Sequence, residues 1–264
     1  MDQLIKEGGF FLIAGPCVIE DEKNTLEIAE YLTKICSDLS IPFVFKSSYK
    51  KANRTKLNSF TGIGDKKGLE ILKKISKKFQ ISVTTDVHNA LEATIAAEYV
   101  DIIQIPAFLC RQTDILIAAA KTNKIVNIKK GQFCSPESVK FMIEKVTSQK
   151  NNNVIITERG NSFGYQDLIV DIRNIPIMQS FGKPVVLDLT HSMQKPNQQI
   201  GISSGTPIFI ETMGCAGIAA GADGIFLETH PNPNKALSDG KTMLELKKIK
   251  PLLKKLITIK KAIS

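Results

Sequence analysis

The sequence contains no tryptophan, and aromatic residues make up only 6% of its 264 residues. Nucleic-acid-binding chains combine basic patches with aromatic residues for stacking. The formal net charge of +9, from 35 Lys+Arg against 26 Asp+Glu, is therefore not read as a nucleic-acid signature. Much of the excess sits in the last helical segment, where Lys247, Lys248, Lys250, Lys254, Lys255, Lys260 and Lys261 flank Leu and Ile as on a solvated amphipathic face. Cysteine is sparse as well. The 5 cysteines are odd in number, widely spaced and without a CxxC pair, which argues against a disulfide framework and for reduced thiols in the cytoplasm. No stretch approaches the roughly 20 apolar residues of a membrane span. The apolar run at 10–14 is preceded by acidic residues and is too short for a secretory leader. The expectation is a soluble, cytoplasmic protein with neither a membrane nor a nucleic-acid partner.

What is present is alternation. Short apolar or β-branched runs at 10–14, 43–46, 82–86, 102–105, 125–128, 154–157, 185–189 and 224–227 read as strands. Helix-period segments follow them at 25–39, 68–79, 90–99, 114–122, 136–147, 166–180, 207–220 and 241–263. Near-continuous apolar strands are those buried on both faces, as parallel strands are. Eight β-then-α units in this length predict an α/β chain folded as one (β/α)8 TIM barrel over residues 1–264. An open doubly wound sheet is the runner-up, but the GxGxxG turn expected after its first strand is missing.

In such a barrel the loops after the strands gather at one face, where catalysis takes place. The strand ends supply Cys17, Lys46 with Lys51, Asp86 with His88, Gln104, Lys129 with Lys130, Glu158 with Arg159, His191, and Glu228 with His230 and Asp239. Each alone reads as an ordinary solvated loop residue, but their convergence on one rim is harder to dismiss. One subset is cationic: Lys46, Lys51, Arg54, Arg111, Lys129 and Arg159. Several cations on one cavity repel one another, which predicts an anionic ligand such as a phosphate or carboxylate. A Schiff-base aldolase would also place a lysine at a strand end, so this subset does not fix the reaction. The second subset, Cys17, His191, Glu228 and Asp239, is a mixed soft and hard donor set suited to Zn, Fe or Mn. The competing reading of Cys17 is a small buried hydrophobe.

Specific strings then carry a resemblance. Ile13-Ala14-Gly15-Pro16-Cys17, Phe45-Lys46-Ser47-Ser48-Tyr49-Lys50-Lys51-Ala52-Asn53-Arg54, Thr85-Asp86-Val87-His88 and Ile103-Gln104-Ile105-Pro106-Ala107-Phe108 come first. Arg111-Gln112-Thr113-Asp114, Asn127-Ile128-Lys129-Lys130-Gly131, Thr157-Glu158-Arg159-Gly160, Leu189-Thr190-His191-Ser192, Glu228-Thr229-His230-Pro231 and Ser238-Asp239-Gly240 follow in order. Together they resemble the 3-deoxy-D-manno-octulosonate 8-phosphate synthases, or 2-dehydro-3-deoxyphosphooctonate aldolases, from about residue 10 to 244. The Ala52-Asn53-Arg54 stretch separates this family from its sister that makes a seven-carbon product from erythrose 4-phosphate, which has KPRT-like residues there.

The resemblance implies a cytoplasmic homotetrameric transferase of lipopolysaccharide biosynthesis. Its substrates would be phosphoenolpyruvate and D-arabinose 5-phosphate, and no Schiff-base lysine is required. By position, Lys46, Lys51, Lys129 and Arg159 resemble the cations that hold phosphoenolpyruvate, and Asn53, Arg54 and Thr55 the sugar-phosphate contacts. Arg111 resembles a residue reaching the sugar phosphate of a neighbouring subunit, and Asp86, His88 and Gln104 match pocket residues. Cysteine at position 17 resembles the metal-dependent class, and His191, Glu228 and Asp239 complete its ligand set. Three features depart from the family pattern: Lys50 stands where aspartate is usual, Thr61-Gly62-Ile63-Gly64 replaces an RGPG-like turn, and the stretch 201–208 lacks an expected arginine. The sister reaction, or a decayed barrel serving as a basic scaffold, remains the alternative.

Overall fold

A computed structural model describes residues 9–54, 56–165, 167–195 and 204–263. Among the described residues, eight strands form the closed barrel: β1 (Phe11–Gly15), β2 (Phe43–Lys46), β3 (Ser82–Asp86), β4 (Ile102–Ile105), β5 (Ile125–Lys129), β6 (Val154–Glu158), β7 (Val185–Asp188) and β8 (Gly224–His230). Each pairs in parallel with its sequence neighbour, and β8 returns to pair with β1 from Phe11↔Gly224 to Gly15↔Glu228, which closes the barrel. Eight helices alternate with the strands: α1 (Glu22–Asp38), α2 (Asp65–Phe79), α3 (Ala90–Ala96), α4 (Thr113–Lys121), α5 (Val139–Thr147), α6 (Asn174–Gln179), α7 (Ile210–Ala219) and α8 (Ile249–Ile263). The chain is the (β/α)8 barrel that its alternation predicts. None of its described helices is long and apolar enough to cross a membrane.

Helix packing follows the three-to-four-residue spacing of apolar positions. Leu69, Leu72 and Ile75 of α2 are buried against the sheet, each contributing about 1.5–3 kcal/mol. Local signals set the starts: Asp21 caps α1 by accepting from Asn24 N at 2.8 Å, and Asn89 caps α3 through Glu92 N at 2.8 Å.

Two predicted helices begin eight residues later than their periodicity suggests, at Asn174 and Ile249. Residues 167–173 are not helical: Asn161 and Ile169 form an antiparallel bridge, and the Asp171 carboxylate accepts from Arg173 N at 3.0 Å, so side-chain capping and cross-loop pairing take these backbone groups. Similarly, Leu244–Glu245 adds a short parallel strand beside Thr229 and His230, and a 3-10 turn over Leu246–Lys248 then leads into α8.

Along each strand, alternate side chains face opposite sides of the barrel wall. One parity packs under the helices: Leu12, Ala14, Phe43, Phe45, Ile103, Ile105, Val126, Ile128, Leu187 and Leu227. The other parity faces the axis and begins as an apolar plug of Phe11, Ile13, Val44, Ile102, Ile155, Val186 and Phe226. Continuing the same parity upward turns the interior polar, through Lys46, Asp86, Gln104, Asn127, Lys129, Thr157, Arg159, Asp188 and Glu228, all of them buried. The strand ends therefore aim their polar residues at one mouth.

Candidate active site

The first strand end is shaped by a glycine. A Cβ on Gly15 would lie 2.0 Å from the Lys46 carbonyl oxygen, so only glycine lets the ends of β1 and β2 approach as they do. Beyond it, Ser48 N donates to the Cys17 carbonyl at 3.2 Å, and Val18 bridges Ser48, which fixes the backbone beneath the Cys17 thiol. Cys17 Sγ lies 3.0 Å from Asp239 Oδ2 and 3.0 Å from Ser238 Oγ. Asp239 sits at φ +50°, a left-handed conformation that Asp tolerates, and its carbonyl accepts Thr242 N at 2.9 Å.

Cys17, Glu228 and Asp239 each bring one donor atom to within 4.8 Å of the others. His191 stands beside them, with Nε2 3.7 Å from Glu228 Oε1, while its Nδ1 lies 2.8 Å from Asp188 Oδ2. The ionised Asp188 makes Nδ1 the protonated nitrogen and leaves Nε2 to face the cluster. Among the described residues Glu228 Oε2 is buried without a hydrogen-bond partner. An orphaned carboxylate oxygen in that position, with a thiol, a second carboxylate and an imidazole nitrogen at hand, fits a divalent cation. Burial above all, and then the Glu228 charge, push the Cys17 thiol well above its ordinary range, so the sulfur is protonated in the absence of a cation.

The cations interlock with carboxylates. Lys46 Nζ is 2.9 Å from Glu228 Oε1 and 3.3 Å from Asp86 Oδ2. Burial opposes its charge, but those two anions outweigh it and raise its pKa. Lys129 Nζ is 2.5 Å from Asp188 Oδ2 and 3.9 Å from the centre of the Phe226 ring; burial lowers its pKa against the pull of Asp188. Asp86 accepts from Ser48 Oγ at 2.5 Å and from Gln104 Nε2 at 2.6 Å. Gln104 in turn accepts from Asn127 at 3.0 Å. Burial favours the protonated Asp86 carboxyl, yet Lys46 and Lys51 hold it well below the usual carboxylate range.

The expected repulsion among cations is thus largely offset inside the protein. Lys51 and Arg159 differ: among the described residues neither makes an ion pair, and Arg159 Nη2 donates only to the neutral Gln194 at 2.8 Å. A cavity of about 360 Å³ opens above this floor, lined by Lys46, Lys51, Asn53, Asp86, His88, Gln104, Lys129, Arg159 and His191 together with Pro106–Leu109. Its size suits a small ligand.

Other sequence candidates lie elsewhere. Arg54 donates through Nε to the Phe60 carbonyl at 2.9 Å and does not line the cavity. Arg111 is exposed in the turn before α4, away from the lining. Thr55 falls outside the described residues, as do 201–203 of the stretch that lacks an arginine. Lys130 and Glu158, grouped with the rim residues by sequence, have the opposite strand parity to Lys129 and Arg159. They point under the helices, fully buried and 3.5 Å apart. His230 turns away to Asn24, 3.1 Å from its Nε2. Asp188, which holds both Lys129 and His191, is a site residue that sequence reasoning missed. It hides inside the apolar run Val185-Val186-Leu187-Asp188-Leu189, and a buried acid in such a run was the available signal.

The chain belongs to the DAHP synthetase I family, whose model matches residues 5–264. Within that family it is similar to proteins named 2-dehydro-3-deoxyphosphooctonate aldolase. It is 50% identical to the one from Trichlorobacter lovleyi over 96% of this chain and 94% of that protein. Identity is 50% over 97% and 95% for the Geotalea uraniireducens protein, and 51% over 95% and 90% for that of Desulfosudis oleivorans.

Proposed function

We propose that the chain condenses phosphoenolpyruvate with D-arabinose 5-phosphate and water, giving 3-deoxy-D-manno-octulosonate 8-phosphate and inorganic phosphate for lipopolysaccharide biosynthesis. The names of the near full-length relatives favour the eight-carbon product over the seven-carbon one. The observation that carries the reading is the pair of cations without carboxylate partners, Lys51 and Arg159, sharing one cavity with the Cys17–Glu228–Asp239 cluster.

The enol carbon C3 of phosphoenolpyruvate attacks the sugar aldehyde, water adds to C2, and phosphate then leaves by C–O cleavage. Lys51 and Arg159 take the phosphate and carboxylate of phosphoenolpyruvate, Arg159 with its fork of donors. Lys46 and Lys129, already held by carboxylates, stiffen the floor beneath them and stabilise charge as it develops, at no cost in reorganisation. Gln104, Asn53 and His88 orient the sugar, and Asp86 fixes Lys46 and Gln104. Cys17, His191, Glu228 and Asp239 hold a divalent cation, Zn, Fe or Mn. When bound it supplies Lewis acidity towards water or the aldehyde oxygen. The enzyme works in the cytoplasm as a homotetramer, in which the exposed Arg111 serves a neighbouring subunit's site.

The test is phosphate release from phosphoenolpyruvate with each sugar phosphate, before and after chelation. Release is expected with arabinose 5-phosphate, lost on chelation and restored by added metal. Equal release with erythrose 4-phosphate would overturn the substrate assignment. Full activity without metal would remove the role given to Cys17, and Cys17→Asn is expected to abolish metal binding while keeping some turnover.

A further inference from the structure

Two neighbours of the cavity have no part in the assignments above: Glu92, in the first turn of α3, and Lys50, where the family pattern leads one to expect aspartate. The Glu92 side chain is only 12% exposed and gathers five donors. Its Oε2 accepts from His88 N at 2.9 Å and lies 2.8 Å from His88 Nδ1. Its Oε1 accepts from Lys50 Nζ at 3.2 Å and from Asn89 Nδ2 at 3.1 Å, and the Tyr49 hydroxyl also donates to this carboxylate. Burial pushes the carboxyl up, but the bonds from Tyr49 and His88 outweigh it and keep it ionised at neutral pH. Lys50 also reaches Asp65 Oδ2 at 3.3 Å, at the first residue of α2. The aspartate-to-lysine change is therefore matched by two acids.

An ionised acceptor against one imidazole nitrogen decides which nitrogen carries the proton. In water a neutral histidine favours the proton on Nε2. Here Glu92 imposes the reverse, and Nε2 is left as the nitrogen available to the cavity that His88 lines. The same carboxylate ties Tyr49 and Lys50 to α3 immediately before Lys51 and Asn53, both of which line the cavity.

We propose that Glu92 is a positioning residue for the sugar side of the site: it holds His88 as the Nδ1–H tautomer with Nε2 ready to accept a hydrogen bond from a substrate hydroxyl, and through Lys50 and Tyr49 it fixes the loop that carries Lys51 and Asn53. The tautomer part stands on the geometry alone; the assignment to the sugar rests on the reading in the preceding subsection. A plain helix-capping ion pair would stabilise α3 and do neither.

The chain has 3 histidines, so the imidazole ¹⁵N spectrum of the full-length metal-loaded protein is simple, and His88→Gln assigns the ring. At about pH 9, where imidazoles are neutral, wild-type His88 is expected to show Nδ1 protonated and Nε2 bare. An Nε2–H ring there overturns the proposal without any variant at Glu92. In Glu92→Gln the His88 nitrogens should shift, and KM for the sugar phosphate should rise about tenfold, the scale of a lost charged hydrogen bond, a larger rise than that for phosphoenolpyruvate, which shares only Lys51 on this loop. Lys50→Met should reproduce the KM split without the shift. Unchanged His88 resonances in Glu92→Gln, or equal rises in both KM values, would refute the positioning role. Failure of the parent reading is a separate result: wild-type protein that releases no phosphate with this sugar, whatever its spectrum.

Discussion

The lower and upper halves of the barrel interior are built from the same strand positions by opposite means. Below, Phe11, Ile13, Val44, Ile102, Ile155, Val186 and Phe226 fill the axis without a polar atom. Two residues further along the same strands, Lys46, Gln104, Thr157, Asp188 and Glu228 take the inward positions, and each is held by a side chain from another strand. The plug contributes stability through area removed from water. The upper half buries Lys46, Lys129, Asp86, Asp188 and Glu228 at a desolvation cost that their mutual contacts only offset. The lesson is that the fold is secured below so that an expensive, preorganised arrangement can be kept above.

Three substitutions sharpen this contrast. The largest loss is expected behind the wall, where Lys130 Nζ meets Glu158 at 3.5 Å and Asn161 at 2.7 Å with no exposure. Lys130→Met should cost about 3–5 kcal/mol in denaturant unfolding. Combined with Glu158→Gln the loss should fall short of the sum by about 1–3 kcal/mol; strict additivity would show that the pair does not act as a unit.

Next comes Asp86→Asn, at about 2–3 kcal/mol near neutral pH. Because Lys46 and Lys51 hold the Asp86 carboxyl below its unfolded value, its contribution is complete above about pH 4 and fades as pH falls further. The stability difference between variant and wild type should therefore narrow in acid, and a constant gap down to pH 2 would contradict the assignment.

Smallest is Ile155→Val in the plug, about 1 kcal/mol. Here kcat should be unchanged per folded molecule, since no reacting group is touched.

Most of the architecture was legible because period-2 and period-3.6 patterns are consequences of burial, and β2, β3 and β4 match their predicted limits. The misplaced starts of α6 and α8 came from cross-loop pairing at Asn161 and at Thr229, which leaves no periodic trace. For the site, the residue types were readable at the strand ends, but direction was not. Lys129 and Lys130 look equivalent in a string, and only strand parity sends one to the cavity and the other beneath the helices. Asp188 and Glu92 were missed because their work is done on other side chains: one holds Lys129 and His191, the other His88.

Phe226 belongs to both halves. Its ring closes the top of the plug, yet Lys129 Nζ sits 3.9 Å from its centre, Lys46 Nζ 5.5 Å, and the His191 ring 5.7 Å away. One hydrocarbon surface therefore spaces two ammonium groups and an imidazole from underneath. Any engineer who replaces this one ring for heat tolerance is also adjusting the distances at which the chemistry is set, so hardiness and catalysis in this protein share a hinge pin no wider than a benzene ring.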